Sequence, residues 1–133
     1  MAALDTNVLV RFLVQDDARQ GAAATHLIRG CVETGASLFV PVTVLLELEW
    51  VLRSVFGFNK AAVLHSLFSL LGTYELVFES ETAVEAALGH YSENAADFAD
   101  AVHTALAALA GHGPLWTFDK SASRLHGARL LAT

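Results

Sequence analysis

Short apolar runs alternate with longer stretches whose apolar residues return every three or four positions, and the alternation continues along the whole chain. The short runs are Ala2 to Leu4, Ser37 to Val40, Glu75 to Phe78, Leu115 to Phe118 and Arg129 to Leu131. The middle three are almost continuously apolar, as strands covered on both faces are, so they predict a largely parallel sheet. The periodic stretches predict helices over Asn7 to Val14, Ala18 to Glu33, Val44 to Phe56, Lys60 to Leu71, Thr82 to His90 and Phe98 to Ala110, with a short one near Ser121 to His126. Punctuation supports these bounds. Thr43, Asn59 and Ser80 stand where N-caps belong, and Gly35, Gly57, Gly72 and Gly111 where helices should stop. Strand then helix, repeated, predicts a wound α/β domain with a mostly parallel sheet of four or five strands flanked by helices. No repeat, low-complexity tract or linker interrupts it, so residues 1–133 read as a single domain.

Composition narrows the class. Hydrophobic residues are 54% of the chain and charged residues 17%, which excludes disorder and points to surface buried against another subunit. The segment KAAVLHSLFSLLG at 60–72 carries more apolar surface than one core face requires, so a self-complementary homodimer is expected. The single cysteine, Cys31, has no internal disulfide partner and reads as a small buried hydrophobe in a reducing cytoplasm. LFVPVTVLL at 38–46 contains Pro41 and Thr43 and falls short of the roughly 20 residues that a membrane helix needs. Asp5 and Arg11 interrupt the only candidate for a signal peptide. A soluble cytoplasmic protein without a membrane partner is the expectation.

The carboxylates separate into those with an ordinary explanation and those without. Asp16, Asp17, Glu33, Glu75, Glu79, Glu81, Glu85 and Glu93 fall at loops, helix ends or polar faces, where a solvated role suffices. Glu49 precedes Arg53 by four residues, the spacing of a surface ion pair on a helix. Glu47, in VLLELEWVL, has no such partner. Asp5 lies in AALDTNVLV between two apolar runs, and a buried ionised carboxylate costs several kcal/mol unless it is paired or bound to a cation. Asp97 and Asp100 share one face at the start of a helix, where either would meet the positive helix end. Asp119 follows the strand-like LWTF and reads, alone, as a turn or capping residue. Taken together they say more. Asp5 and Asp119 follow the C-terminal ends of predicted parallel strands, where open α/β sheets build ligand sites, and Glu47 and Asp100 lie near the starts of helices that border such a crevice. Four like charges there repel unless a cation joins them. Magnesium or manganese accepts oxygen ligands in octahedral geometry and leaves positions for phosphate oxygens, which is the setting of phosphoryl or phosphodiester transfer.

The succession ALDTNVLVRFL, PVTVLLELEWVLR, DFADAVHTALA and WTFDK resembles the PIN-domain ribonucleases, and more narrowly the VapC-type toxins of bacterial toxin–antitoxin pairs, from Asp5 to Leu125. The resemblance implies a single PIN-like domain that cleaves RNA with one or two Mg2+ or Mn2+ ions in an acidic pocket. It implies catalytic and metal-binding roles for Asp5, Glu47, Asp100 and Asp119, with Asp97 as an additional metal-binding acid. Thr6 and Asn7 match the polar pair after the first aspartate, and Thr117 a hydroxyl residue before the last. The implied partners are an RNA substrate, a second copy of the chain, and a cognate small DNA-binding antitoxin whose tail would place a basic side chain in the acidic crevice. Many members carry a basic residue before the last aspartate, where this chain has Phe118. His103, three residues after Asp100, reads as a surface or packed histidine outside the metal set.

Fourteen acids against eight basic residues run counter to a nucleic-acid partner. Setting the five candidate site acids aside leaves nine against eight, and bound divalent ions cancel part of the pocket charge, so affinity should be modest and metal-dependent. Arg11, Lys120, Arg124 and Arg129 are the candidates for touching phosphate, and the chain shows no interleaving of aromatic and basic residues for stacking single strands. Two other readings stay open. A receiver- or phosphatase-like phosphotransfer domain accounts for Asp5, Asp119 and Lys120 but leaves Glu47 and Asp100 idle. An inactive metal-bound interaction module would usually have lost one of the acids.

Overall fold

Leu38, Val40, Leu76 and Phe78 are all buried, the pattern of short strands held inside a layered structure. In the computed structural model, which describes residues 1–133, they belong to β2 (Leu38–Val40) and β3 (Leu76–Phe78). With β1 (Ala2–Ala3) these make a parallel three-stranded sheet in the order β1-β2-β3, with Ala2 opposite Leu38 and Leu38 opposite Leu76. Parallel neighbours need long crossovers. Helices α1 (Thr6–Val14) and α2 (Ala18–Thr34) supply the first, and α3 (Val42–Ser54) and α4 (Lys60–Leu71) the second. Leu9, Ile28, Leu45, Leu48, Val63 and Leu67 fill the core beneath these helices. Together they form the compact unit Met1–Glu79.

The second compact unit is Ser80–Thr133. It holds α5 (Glu81–Glu93), α6 (Phe98–Leu109), β4 (Leu115–Thr117), a 3-10 turn at Ala122–Arg124 and β5 (Ala128–Leu130). Helices α5 and α6 pack on each other through buried faces, and the Tyr91 and Phe98 rings meet with centroids 5.5 Å apart. Strands β4 and β5 run parallel, with Leu115 opposite Ala128. Gly127, at φ 92°, turns the chain into β5 beside α6, where a Cβ would lie 3.3 Å from the Thr104 methyl group. Such a φ suits glycine, which has no side chain to clash.

The α/β class and the parallel pairing agree with the sequence pattern. The five strands hydrogen-bond as three and two rather than as one ladder, and none exceeds three residues. Helix α3 starts earlier than expected. Its N-cap is Pro41, not Thr43, and because proline has no capping side chain the Val42 N–H donates instead to Glu79 Oε1 at 2.8 Å. Ser80 does precede α5, but it sits at φ 53° without a capping hydrogen bond. Asn59 caps α4 as expected, its Oδ1 accepting the Ala62 N–H at 2.8 Å. Asn59→Ala should therefore lower stability by about 1 kcal/mol, read as a shift of the urea midpoint at constant slope; an unchanged midpoint would count against the cap.

Two glutamates expected in solvent are inside. Glu75 is 4% exposed and pairs with Arg29 at 3.3 Å, held in place because its carbonyl accepts the Leu38 N–H in the run into the sheet. Glu49 does pair with Arg53, at 2.9 Å, but its carboxylate is buried. The reason lies in the spacing of Leu45, Leu48, Glu49 and Leu52, which puts Glu49 on the core face of α3. Cys31 is buried and free. No helix is long and apolar enough to cross a membrane.

Candidate functional site

The first unit presents Asp5 and Glu47. Leu4 is buried and its N–H donates to the Phe39 carbonyl at 2.9 Å, so β1 ends in a fixed place and the next residue begins the turn into α1. That turn carries Asp5 to the surface, and the desolvation cost expected from its apolar neighbours does not arise. Asp5 is the N-cap of α1, yet its Oδ1 accepts only the adjacent Thr6 N–H, at 2.7 Å. Asp17 and Asn59, by contrast, reach three residues forward, to Gln20 and Ala62, as a cap that satisfies the helix does. Capping is therefore a poor account of Asp5.

Thr6 is buried at 3% exposure, and its hydroxyl donates to Glu47 Oε1. This is the partner that the local sequence around Glu47 lacks. Glu47 itself is exposed, on the opposite side of α3 from buried Glu49, so Thr6 positions its carboxylate while leaving it open to solvent. Asn7 points elsewhere. With Val8, Arg11, Gln20 and Leu27 it lines an apolar groove of about 320 Å3 between α1 and α2. Arg11 is not free for phosphate as the sequence implied, because its guanidinium holds both Asp16 oxygens at 2.9 Å and Gln20 at 2.7 Å.

The second unit presents Asp97, Asp100 and Asp119. Asp97 occupies the N-cap position of α6 but makes no capping hydrogen bond, so the ordinary explanation for an acid there fails. Asp100 is half-buried in the first turn. Burial, and after it the negative charges of Asp97 and Asp119, push the Asp100 carboxyl above the usual aspartate range, against a smaller downward pull from His103. Asp119 does act as a turn residue: its Oδ1 accepts the Ala122 N–H at 2.9 Å, and its own N–H donates to Thr117 Oγ1 at 3.0 Å. Thr117 thus orients Asp119 from the end of β4. Lys120, Arg124 and His103 are exposed.

Asp100, whose carboxyl is pushed up by burial and by the charges of Asp97 and Asp119, together with those two hard oxygen donors and no thiolate, fits a divalent cation that would relieve the repulsion. No three His, Cys, Asp or Glu side chains are gathered tightly enough to enclose an ion unaided. Magnesium does not require that, since it is usually bound through one or two carboxylates with water completing the shell.

The sequence model of the PIN domain family matches residues 2–128. The chain belongs to the PIN domain family. The match covers both compact units, and no curated protein matches the chain. PIN domains are typically nucleases and generally use divalent metals, so the family match implies a nuclease-type hydrolase in general. Sequence reasoning missed one juxtaposition. Arg129 of β5 stands opposite Trp116 of β4 and places its guanidinium 5.6 Å from the indole centroid, an aromatic and basic pair that no interleaving along the sequence announces. The parallel pairing of the two predicted strands was the signal for it, but β5 runs one residue earlier than the apolar pattern implies.

Proposed function

We propose that this PIN domain is a metal-dependent endoribonuclease, the toxin of a type II toxin–antitoxin pair. The observation that carries the reading is the PIN family match over residues 2–128, and it is supported by the half-buried Asp100, whose carboxyl is pushed up by burial and by the charges of Asp97 and Asp119. Asp97, Asp100 and Asp119 are assigned to Mg2+ or Mn2+, and Asp5 and Glu47 to the same chemistry on the family motif. When bound, such an ion supplies an activated water for in-line attack on phosphorus and neutralises charge on the phosphate oxygens. The chain's own part is positional: Thr6 holds Glu47, and Thr117 holds Asp119.

The partners assigned with this function are RNA, a small DNA-binding antitoxin that offers a basic side chain to the acids, and a second copy of the chain in the cytoplasm. Exposed Trp50, Val55 and Phe68 on and after α3 and α4 supply apolar surface for a homodimer. The test is incubation of the purified protein with single-stranded RNA in manganese, in magnesium and in chelator. Internal cleavage should occur with a metal, cease in chelator and return on adding the metal back. Cleavage that persists in chelator, or none under any condition, would overturn the reading.

A further inference from the structure

The β4–β5 pair exposes an aromatic and cationic face that nothing else in its unit uses. Trp116 is 55% exposed and Phe118 67%. Trp116 lies in β4 and Phe118 directly follows the strand, so the two exposed rings are two residues apart at its C-terminal end. Register sets Arg129 opposite Trp116 on that face, with its guanidinium 5.6 Å from the indole centroid. Trp116 is the largest side chain of the strand pair and stands in solvent rather than in the core. Phe118 directly precedes Asp119, so the face leads into the carboxylates around Asp100.

Charge is distributed in the same sense. Residues 112–133 contain three basic residues and one acid, whereas residues 1–111 contain five basic residues and thirteen acids. The segment that carries the aromatic face is thus net basic in an otherwise acidic chain, and Arg129 is the base placed against the indole. A second copy of the chain docked here would have to desolvate Arg129, with Asp119 the one acid in this segment to receive it. A polyanion with flat, apolar bases meets both features at once.

We infer that Trp116, Phe118 and Arg129 form a stacking platform for single-stranded RNA beside the cleavage site. One base lies on the Trp116 or Phe118 ring, and Arg129 covers the indole while neutralising the adjacent phosphate. The inference rests on the ribonuclease reading for its substrate class, and it makes these side chains positioning groups that touch the bases flanking the cut bond. Aromatic stacking of this kind tolerates sequence, because every base has a π-face, and discriminates against duplex RNA, whose bases are already stacked.

The experiment measures binding of a fluorescent oligouridylate to the full chain by anisotropy in chelator and low salt, where cleavage is suspended. Trp116→Ala should weaken binding by about fivefold to a hundredfold. Trp116→Phe should retain most of the affinity, and Trp116→Leu, apolar but without a π-face, should behave as the alanine variant does. Duplex RNA should bind weakly to all of them. In manganese, Trp116→Ala should raise KM and leave kcat near the wild-type value. Retention of a folded melting profile in Trp116→Phe guards against loss by misfolding.

Wild-type protein that does not bind the oligonucleotide, or Trp116→Leu that binds as well as wild type, would overturn the platform. So would a Trp116→Ala variant that turns a dimer into a monomer in sedimentation with RNA affinity unchanged, since the face would then join copies of the chain. The platform and the nuclease activity fail separately. Trp116-dependent binding without metal-dependent cleavage rejects the nuclease and keeps the platform, whereas cleavage indifferent to Trp116 does the reverse.

Discussion

Asn in place of Asp100 is expected to lower metal-dependent RNA cleavage by at least about a hundredfold, and Asp5→Asn to do the same, because each keeps the shape and removes the charge that would hold the ion. Neither loss is attributable to a broken helix cap. Asp100 is not a cap, and Asp5 reaches only the amide next to it, a bond that the Asn carbonyl can also accept. The choice of control depends on the structure. Glu49→Gln is unsuitable despite its surface-like spacing, since Glu49 is buried against Arg53 and its loss would perturb folding. Glu85, exposed on α5, is the appropriate residue. Cleavage rates measured under single-turnover conditions decide the point: near-wild-type activity in Asp100→Asn, or equal damage from Glu85→Gln, sinks the assignment.

Melting curves in chelator and in manganese form the second strong test. A carboxyl whose pKa is raised on folding contributes stability that is present below its unfolded value and is lost as pH rises through the folded one. Asp100 is such a group, facing Asp97 and Asp119 with His103 as the opposing charge. Above its folded pKa it is ionised and destabilises the metal-free protein, so in that range Asp100→Asn should melt at a higher temperature in chelator, with the difference vanishing in acid. Manganese at about a hundred times its dissociation constant should then stabilise the wild type by roughly 2.7 kcal/mol and the variant by much less. If Asp100 served only the helix end, its loss would cost up to about 1 kcal/mol with or without metal. A variant that is less stable in chelator and keeps the full manganese shift would exclude Asp100 from the ion's ligands.

The fold was legible where a short local pattern determines it. Period and punctuation located every helix and strand, because the apolar face of α6 or the cap at Asn59 is encoded within a few neighbouring residues. Features that depend on distant residues were not legible. Strands of two or three residues carry too little pattern to state how many join one ladder, and the group that replaces Thr43 at the start of α3 lies 37 residues from the amide it serves. Glu49 was misjudged because the four-residue spacing to Arg53 and the core face of α3 coincide at one position, and the sequence rule for ion pairs says nothing about burial. Among the site acids, the helix spacing of Asp97 and Asp100 made their proximity readable, whereas the exposure of Asp5 and the Thr6 bond to Glu47 follow from how β1 turns into α1.

The hydrogen bond from Val42 to Glu79 also couples a helix to the sheet. The first amides of any helix lack partners within it, and Pro41 has no side-chain group to offer the one that opens α3. The acceptor arrives only with Glu79, whose own N–H donates to the Val40 carbonyl as the chain leaves β3. The start of α3 is thus tied to the end of β3, so the first helix amide is served by a residue that the sheet itself puts in place. Glu47, carried one turn further along that helix, is therefore held from two ends, by Thr6 at its carboxylate and by the sheet through the start of α3.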